Sequence, residues 1–168
     1  MEEFYGPAVT SLGYQAFRNC INLKTLDLPL CATGWNNVNN GYSPVSNCLN
    51  LVSVNVGSYI GTLPNHFGNS VLASAFSALN YVSFPLVSSV AANCFENCIS
   101  LENLNLKNCS TIGTSTFKNC SSLTNINEKL GNLTTIPSNA FNGCLNLGTD
   151  KSGIIISQNF PNVTTIGD

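Results

Sequence analysis

The chain has 168 residues, of which only 8% are charged, against about 25% in an average domain, and its net charge is −2. Arg18 and five scattered lysines form no basic stripe, which argues against a nucleic-acid or anionic-membrane partner. No run of about 18 apolar residues exists, so no membrane-spanning helix or direct membrane insertion is expected.

The opening, MEEFYGPA, has neither a basic region nor an apolar core, so no signal peptide is read there. Either the chain is cytoplasmic, or Met1 begins a piece of a longer exported protein. The repeat phase favours the second reading. The chain enters at Val9-Thr10-Ser11-Leu12-Gly13 and leaves in the same phase at Val163-Thr164-Thr165-Ile166-Gly167, with no evident polar cap at either end.

Between those points one motif recurs. A Cys slot falls at Cys20, Cys48, Phe76, Cys98, Cys120 and Cys144, at intervals of 28, 28, 22, 22 and 24 residues. Three residues after each comes a leucine: Leu23, Leu51, Leu79, Leu101, Leu123 and Leu147. In five copies an aliphatic follows after three more (Leu26, Val54, Val82, Leu104, Ile126), and four end in alternation with Leu28, Val56, Phe84 or Leu106. Such alternation predicts a short strand with every second side chain inward, and stacked copies predict a parallel sheet. A fixed period of this length predicts a solenoid whose units cannot fold alone.

The other half of each copy places Phe17, Phe95, Phe117 or Phe141 three residues before the Cys slot. This spacing predicts one helical or 3₁₀ turn with Phe and Cys both facing the core. Two copies depart through insertions, within ATGWNNVNNGYSPV and PNHFGNSVLASAF. Both fall on the same arc and predict a continuous bulge carrying Trp35, Tyr42, His66 and Phe67. GTDKSGIIISQ interrupts the last copy.

The segments SLGYQAFRNCINLKTLDLP, SVAANCFENCISLENLNL, TIGTSTFKNCSSLTNI and TIPSNAFNGCLNL resemble the Treponema-type, BspA-like class of leucine-rich repeats. The resemblance covers nearly the whole chain. It implies an α/β repeat solenoid: a right-handed superhelix with a parallel β-sheet on the concave face and short helical or 3₁₀ turns on the convex arc. Residues 1–168 would form a single solenoid of six to seven rungs, an excerpt of a longer protein. The resemblance also implies a cell-surface or secreted setting, adhesion and protein–protein contact, and no catalytic residues.

The chemistry of the remaining residues is sparse. Five of the eight cysteines occupy one slot that also accepts Phe76, so they read as buried free thiols, and no disulfide is expected. Cys94 and Cys98 form a lone C-x-x-x-C, two ligands short of a zinc site, so no metal or cofactor is expected. The sole histidine, His66, has no nearby Asp, and the carboxylates are scattered over different rungs, so the chain reads as a non-enzyme.

Two ladders should project outward from the strands. One is Asp27, Asn55, Ser83, Asn105 and Asn127; the other is Thr25, Ser53, Tyr81, Asn103 and Asn125. Small polar residues there solvate the sheet and bridge rungs; a binding face would centre on Tyr81, since aromatic side chains anchor interfaces. The aromatic bulge is the competing site, with local loop packing as its plainer reading. The leading function is a non-enzymatic module of an adhesin-like protein that binds protein or glycan, with host-derived ligands within its reach. The alternative is a structural subunit that stacks end to end into a fibre or scaffold. Four N-x-S/T sequons begin at Asn108, Asn119, Asn132 and Asn162; in an Asn-rich chain several arise by chance, and they matter only where the source glycosylates.

Overall fold

The computed structural model describes residues 1–35, 43–64, 77–124, 126, 130, 132–149 and 160–167. Among the described residues ten strands follow in chain order: β1 Glu3–Tyr5, β2 Thr25–Leu28, β3 Ser53–Val56, β4 Thr62–Leu63, β5 Tyr81–Ser83, β6 Ser89–Val90, β7 Asn103–Asn105, β8 Thr111–Ile112, β9 Thr135–Ile136 and β10 Thr165–Ile166. They assemble as a five-stranded sheet in the order β1-β2-β3-β5-β7, a three-stranded sheet β4-β6-β8, and the pair β10-β9. Every pairing is parallel. From β3 to β8 the chain alternates between the two larger sheets, so each turn of the coil adds one strand to each.

Alternation within a strand explains what is buried. Leu26, Leu28, Val54 and Val56 have no exposed surface, while Thr25, Asp27, Ser53 and Asn55 lie between them, half-exposed. Leu23, Leu51, Leu79, Leu101 and Leu123 are fully buried beside them, and Cys48, Cys98 and Cys120 line the same core. Cys20 and Cys144 are only partly buried. Phe76, the sixth member of that slot, lies outside the described residues.

The expected helical or 3₁₀ turns are not what the arcs contain. The described arcs are chains of hydrogen-bonded turns, because four of them carry two residues of positive φ and the arc around Asn47 carries one. One set is Gln15, Asn93, Ser115 and Asn139, at 54–56°; the other is Asn19, Asn47, Asn97 and Asn119, at 61–63°, with Gly143 at 76°. A left-handed residue cannot continue a right-handed helix. Backbone groups then divide their bonds in two directions. Cys98 N–H reaches back to Phe95 O (3.2 Å) and Cys120 N–H to Phe117 O (3.1 Å), closing turns. The intervening N–H groups reach forward to the next rung: Phe95 to Thr116 O (2.9 Å), Asn97 to Lys118 O (2.8 Å), Phe117 to Ala140 O (2.9 Å) and Asn119 to Asn142 O (2.7 Å).

Side chains repeat the same arrangement. Asn47 Nδ2 donates to Asn19 Oδ1 (2.9 Å) and Asn119 Nδ2 to Asn97 Oδ1 (2.8 Å), so asparagines at the left-handed position form a ladder. Gly143 ends it, where a Cβ would collide with Asn119 Oδ1. Phe95, Phe117 and Phe141 stack ring on ring, with centroids 5.5 Å apart in both pairs.

Candidate functional site

The five-stranded sheet sets two outward rows in register. One runs Glu3–Thr25–Ser53–Tyr81–Asn103, the other Tyr5–Asp27–Asn55–Ser83–Asn105. Eight of the ten ladder positions read from the sequence are therefore strand neighbours. The remaining two, Asn125 and Asn127, lie outside the described residues, as do Tyr42, His66 and Phe67 of the expected bulge.

The rows differ in chemistry. In the second, Asn55 Nδ2 donates to Asp27 Oδ1 (2.8 Å) and Asn105 Nδ2 to Ser83 Oγ (3.3 Å), so rung-to-rung bonds already use these groups. Ser83 is buried at 3% exposure and its hydroxyl is bonded by the Asn105 amide, which corrects its expected outward display. In the first row Tyr81 is 36% exposed and Asn103 is exposed, and neither side chain hydrogen-bonds among the described residues.

Trp35 is also corrected. It has no exposed surface and packs edge-on against Phe84, centroids 5.0 Å apart, with Tyr59 on the same ring at 6.3 Å. An indole held in that cluster supports the core and presents nothing to a ligand.

β1 was missed in the sequence, and with it Glu3 and Tyr5, which continue the two rows; Tyr5 is 66% exposed. The signal was present. Phe4, Pro7 and Val9 stand 22 residues before Leu26, Pro29 and Cys31, and Phe4 packs on Phe17 with centroids 5.0 Å apart. At the same edge Lys24 Nζ meets Glu2 Oε2 at 2.9 Å, and this hydrogen bond holds the Glu2 carboxyl below its usual range. Both groups are exposed, so the pair adds little stability.

Six of the thiols are chemically quiet. Burial pushes Cys48 and Cys98 up to about 12 and Cys109 and Cys144 up to about 11, and it raises Cys31 and Cys120 as well. Their slot also has a polar use. Cys48 Sγ donates to Phe17 O (3.0 Å), Cys120 Sγ to Phe95 O (3.1 Å) and Cys144 Sγ to Phe117 O (3.0 Å). Among the described residues no group of three His, Cys, Asp or Glu could hold a metal ion, and no helix is long and apolar enough to cross a membrane.

Parallel strands added one rung at a time, with leucines at fixed inward positions, define a leucine-rich-repeat solenoid. The chain belongs to the BspA-type leucine-rich repeat region family, which it matches in six copies over residues 2–74 and 69–168. Repeats of this type serve as binding scaffolds that engage other proteins, typically in surface or exported proteins. A search of curated proteins finds no match.

Proposed function

We propose that the chain is a non-enzymatic binding module of a surface or secreted adhesin-like protein, taking a protein or glycan ligand on the outward face of its five-stranded sheet. The observation that supports this reading is the row Thr25–Ser53–Tyr81–Asn103, whose exposed tyrosine and asparagine make no side-chain bonds within the described chain. In this reading the coil is a right-handed superhelix with that sheet on its concave side. Tyr81 supplies a flat apolar ring, and the flanking Ser53 and Asn103 supply hydrogen bonds, a combination suited to either ligand class. The test is binding of the purified chain to a panel of immobilised matrix proteins and glycans. Tyr81→Ala should weaken any wild-type signal at least tenfold while Lys118→Ala, on an arc rather than on this sheet, leaves it unchanged. Equal binding by both variants would overturn the assignment of this face.

One observation favours a second reading, end-to-end stacking. In the arc from Pro137 to Cys144, the N–H groups of Asn139, Phe141 and Gly143 occupy the row that elsewhere reaches the next rung, and here they have no acceptor among the described residues. A carbonyl row on a following rung, whether of a longer chain or of a second copy, would complete them. Light scattering that rises with protein concentration supports stacking; a constant monomer mass over the same range rejects it.

A further inference from the structure

Three of the four N-x-S/T triplets occupy one column of the fold. Asn108-Cys109-Ser110 immediately precedes β8, Asn132-Leu133-Thr134 precedes β9, and Asn162-Val163-Thr164 precedes β10, each asparagine three residues before its strand. β9 and β10 pair in register, Thr135 with Thr165, and β8 packs beside β9. Thr164 N–H donates to Thr134 O (2.9 Å), and Asn132 Nδ2 donates to Lys107 O (3.0 Å), which ties the triplets together rung by rung. All three asparagines and all three hydroxyl residues are exposed. In earlier rungs the place three residues before the short strand or bridge is held by Leu30, Tyr59 and Leu86, none in a sequon; Leu30 and Leu86 are exposed and Tyr59 is buried.

The fourth triplet, Asn119-Cys120-Ser121, stands elsewhere. Asn119 is half-buried at φ 62°, and its amide is committed to Asn97 Oδ1 within the ladder. A substituent on that nitrogen would force the stacked arcs apart. Asn108 is the opposite case: its side chain is exposed and makes no hydrogen bond among the described residues.

We infer that this column is a carbohydrate attachment edge, with Asn108 its principal N-linked site and Asn119 excluded. The donor would be an oligosaccharide linked to a polyprenyl diphosphate. Asn108 Nδ2 forms a bond to the sugar C1 as the C1–O bond to the diphosphate breaks. The lipid diphosphate departs with the electron pair, and the proton lost by the amide passes to a basic group of the host's transferase. Neighbouring rungs lie only about 4.8 Å apart, so Asn132, flanked on both sides and already bonded to Lys107, should be occupied less than Asn108. The inference rests on the exported setting proposed above.

The test expresses the full chain behind a secretion signal in a eukaryotic host that N-glycosylates. The secreted, folded protein is then mapped by intact mass and glycopeptide analysis, with and without an enzyme that removes N-linked sugars. Carbohydrate is expected at Asn108, lost in both Asn108→Gln and Ser110→Ala, while Ser121→Ala leaves the glycan mass unchanged. A bare Asn108 in secreted folded chain, or a glycan on Asn119 in chain with an unaltered melting curve, would overturn the inference. Because the host supplies the export, either result leaves the ligand-binding test at Tyr81 standing on its own.

Discussion

Cys120 Sγ donates to the carbonyl of Phe95, 3.1 Å away and one rung earlier, and the same contact joins Cys48 to Phe17 and Cys144 to Phe117. Each of these phenylalanine carbonyls also accepts a turn-closing N–H, from Cys98, Cys20 and Cys120 respectively. The thiol thus fills a core position and uses the carbonyl's second lone pair, which a purely apolar residue leaves idle.

That double role predicts a graded response. Cys120→Ala removes bulk and donor together and should cost about 2 kcal/mol. Cys120→Val restores bulk without the donor and should fall between alanine and wild type. Denaturant midpoints at constant slope measure the order. A valine variant less stable than the alanine one would show that overpacking, not filling, governs the site.

The left-handed position makes a sharper demand. Asn119→Gly keeps the backbone conformation open and loses only the ladder amide, whereas Asn119→Val places a β-branched residue at φ 62°. The valine variant should lose about 1–2 kcal/mol more than the glycine variant. Thermal melts of the two resolve this, and equal melting temperatures would mean the arc can shift out of the left-handed region.

Inward and outward strand positions should also separate cleanly. Leu101 is fully buried, and Leu101→Asp would put an unpaired carboxylate in the core and unfold the centre of the coil. Asn105→Asp keeps an oxygen that can accept from the Ser83 hydroxyl, and its cost should stay below about 1 kcal/mol. Circular dichroism at 25 °C decides the first and a melting curve the second.

Alkaline pH should destabilise the fold through its thiols. A cysteine ordinarily ionises near 9.0, but burial raises Cys98 to about 12. Between these values the unfolded chain has released a proton that the folded chain retains, so stability falls as pH rises across the window. Cys98 alone contributes a slope of up to about 1.4 kcal/mol per pH unit. Denaturant midpoints between pH 7 and 11 should hold steady to about pH 8.5 and then decline; Cys98→Ala, measured against its own value at pH 7, should decline less steeply.

The strands were legible because an inward-outward alternation leaves a two-residue pattern that survives substitution. Thr25–Leu28 and Ser53–Val56 follow it with buried and half-buried residues in strict turn. The arcs were misread as helical because Phe and Cys three residues apart fit a helical turn equally well. What distinguishes them is the residue just before the Cys slot: Asn19, Asn47, Asn97, Asn119 and Gly143 are the residue types that tolerate positive φ. Trp35 was misplaced for another reason. An inserted segment has no period, so nothing in its sequence says that the indole turns back onto Phe84. The outward rows were readable as rows, but the closure of one of them by Asn55–Asp27 and Asn105–Ser83 depends on amide geometry that spacing does not encode.

A uniform step of 22 residues links Tyr81 to Asn103, Ser89 to Thr111, Asn97 to Asn119 and Cys98 to Cys120, covering both sheets, the amide ladder and the thiol slot. The molecule is consequently editable at that stride. Cutting out residues 87–108 would splice Leu86 to Cys109 and return every following side chain to an equivalent berth, leaving a shorter coil with its faces still aligned. A cut of 21 or 23 residues would instead leave one arc a residue too long or too short, a mismatch this coil otherwise meets only with insertions such as those behind its 28- and 24-residue intervals.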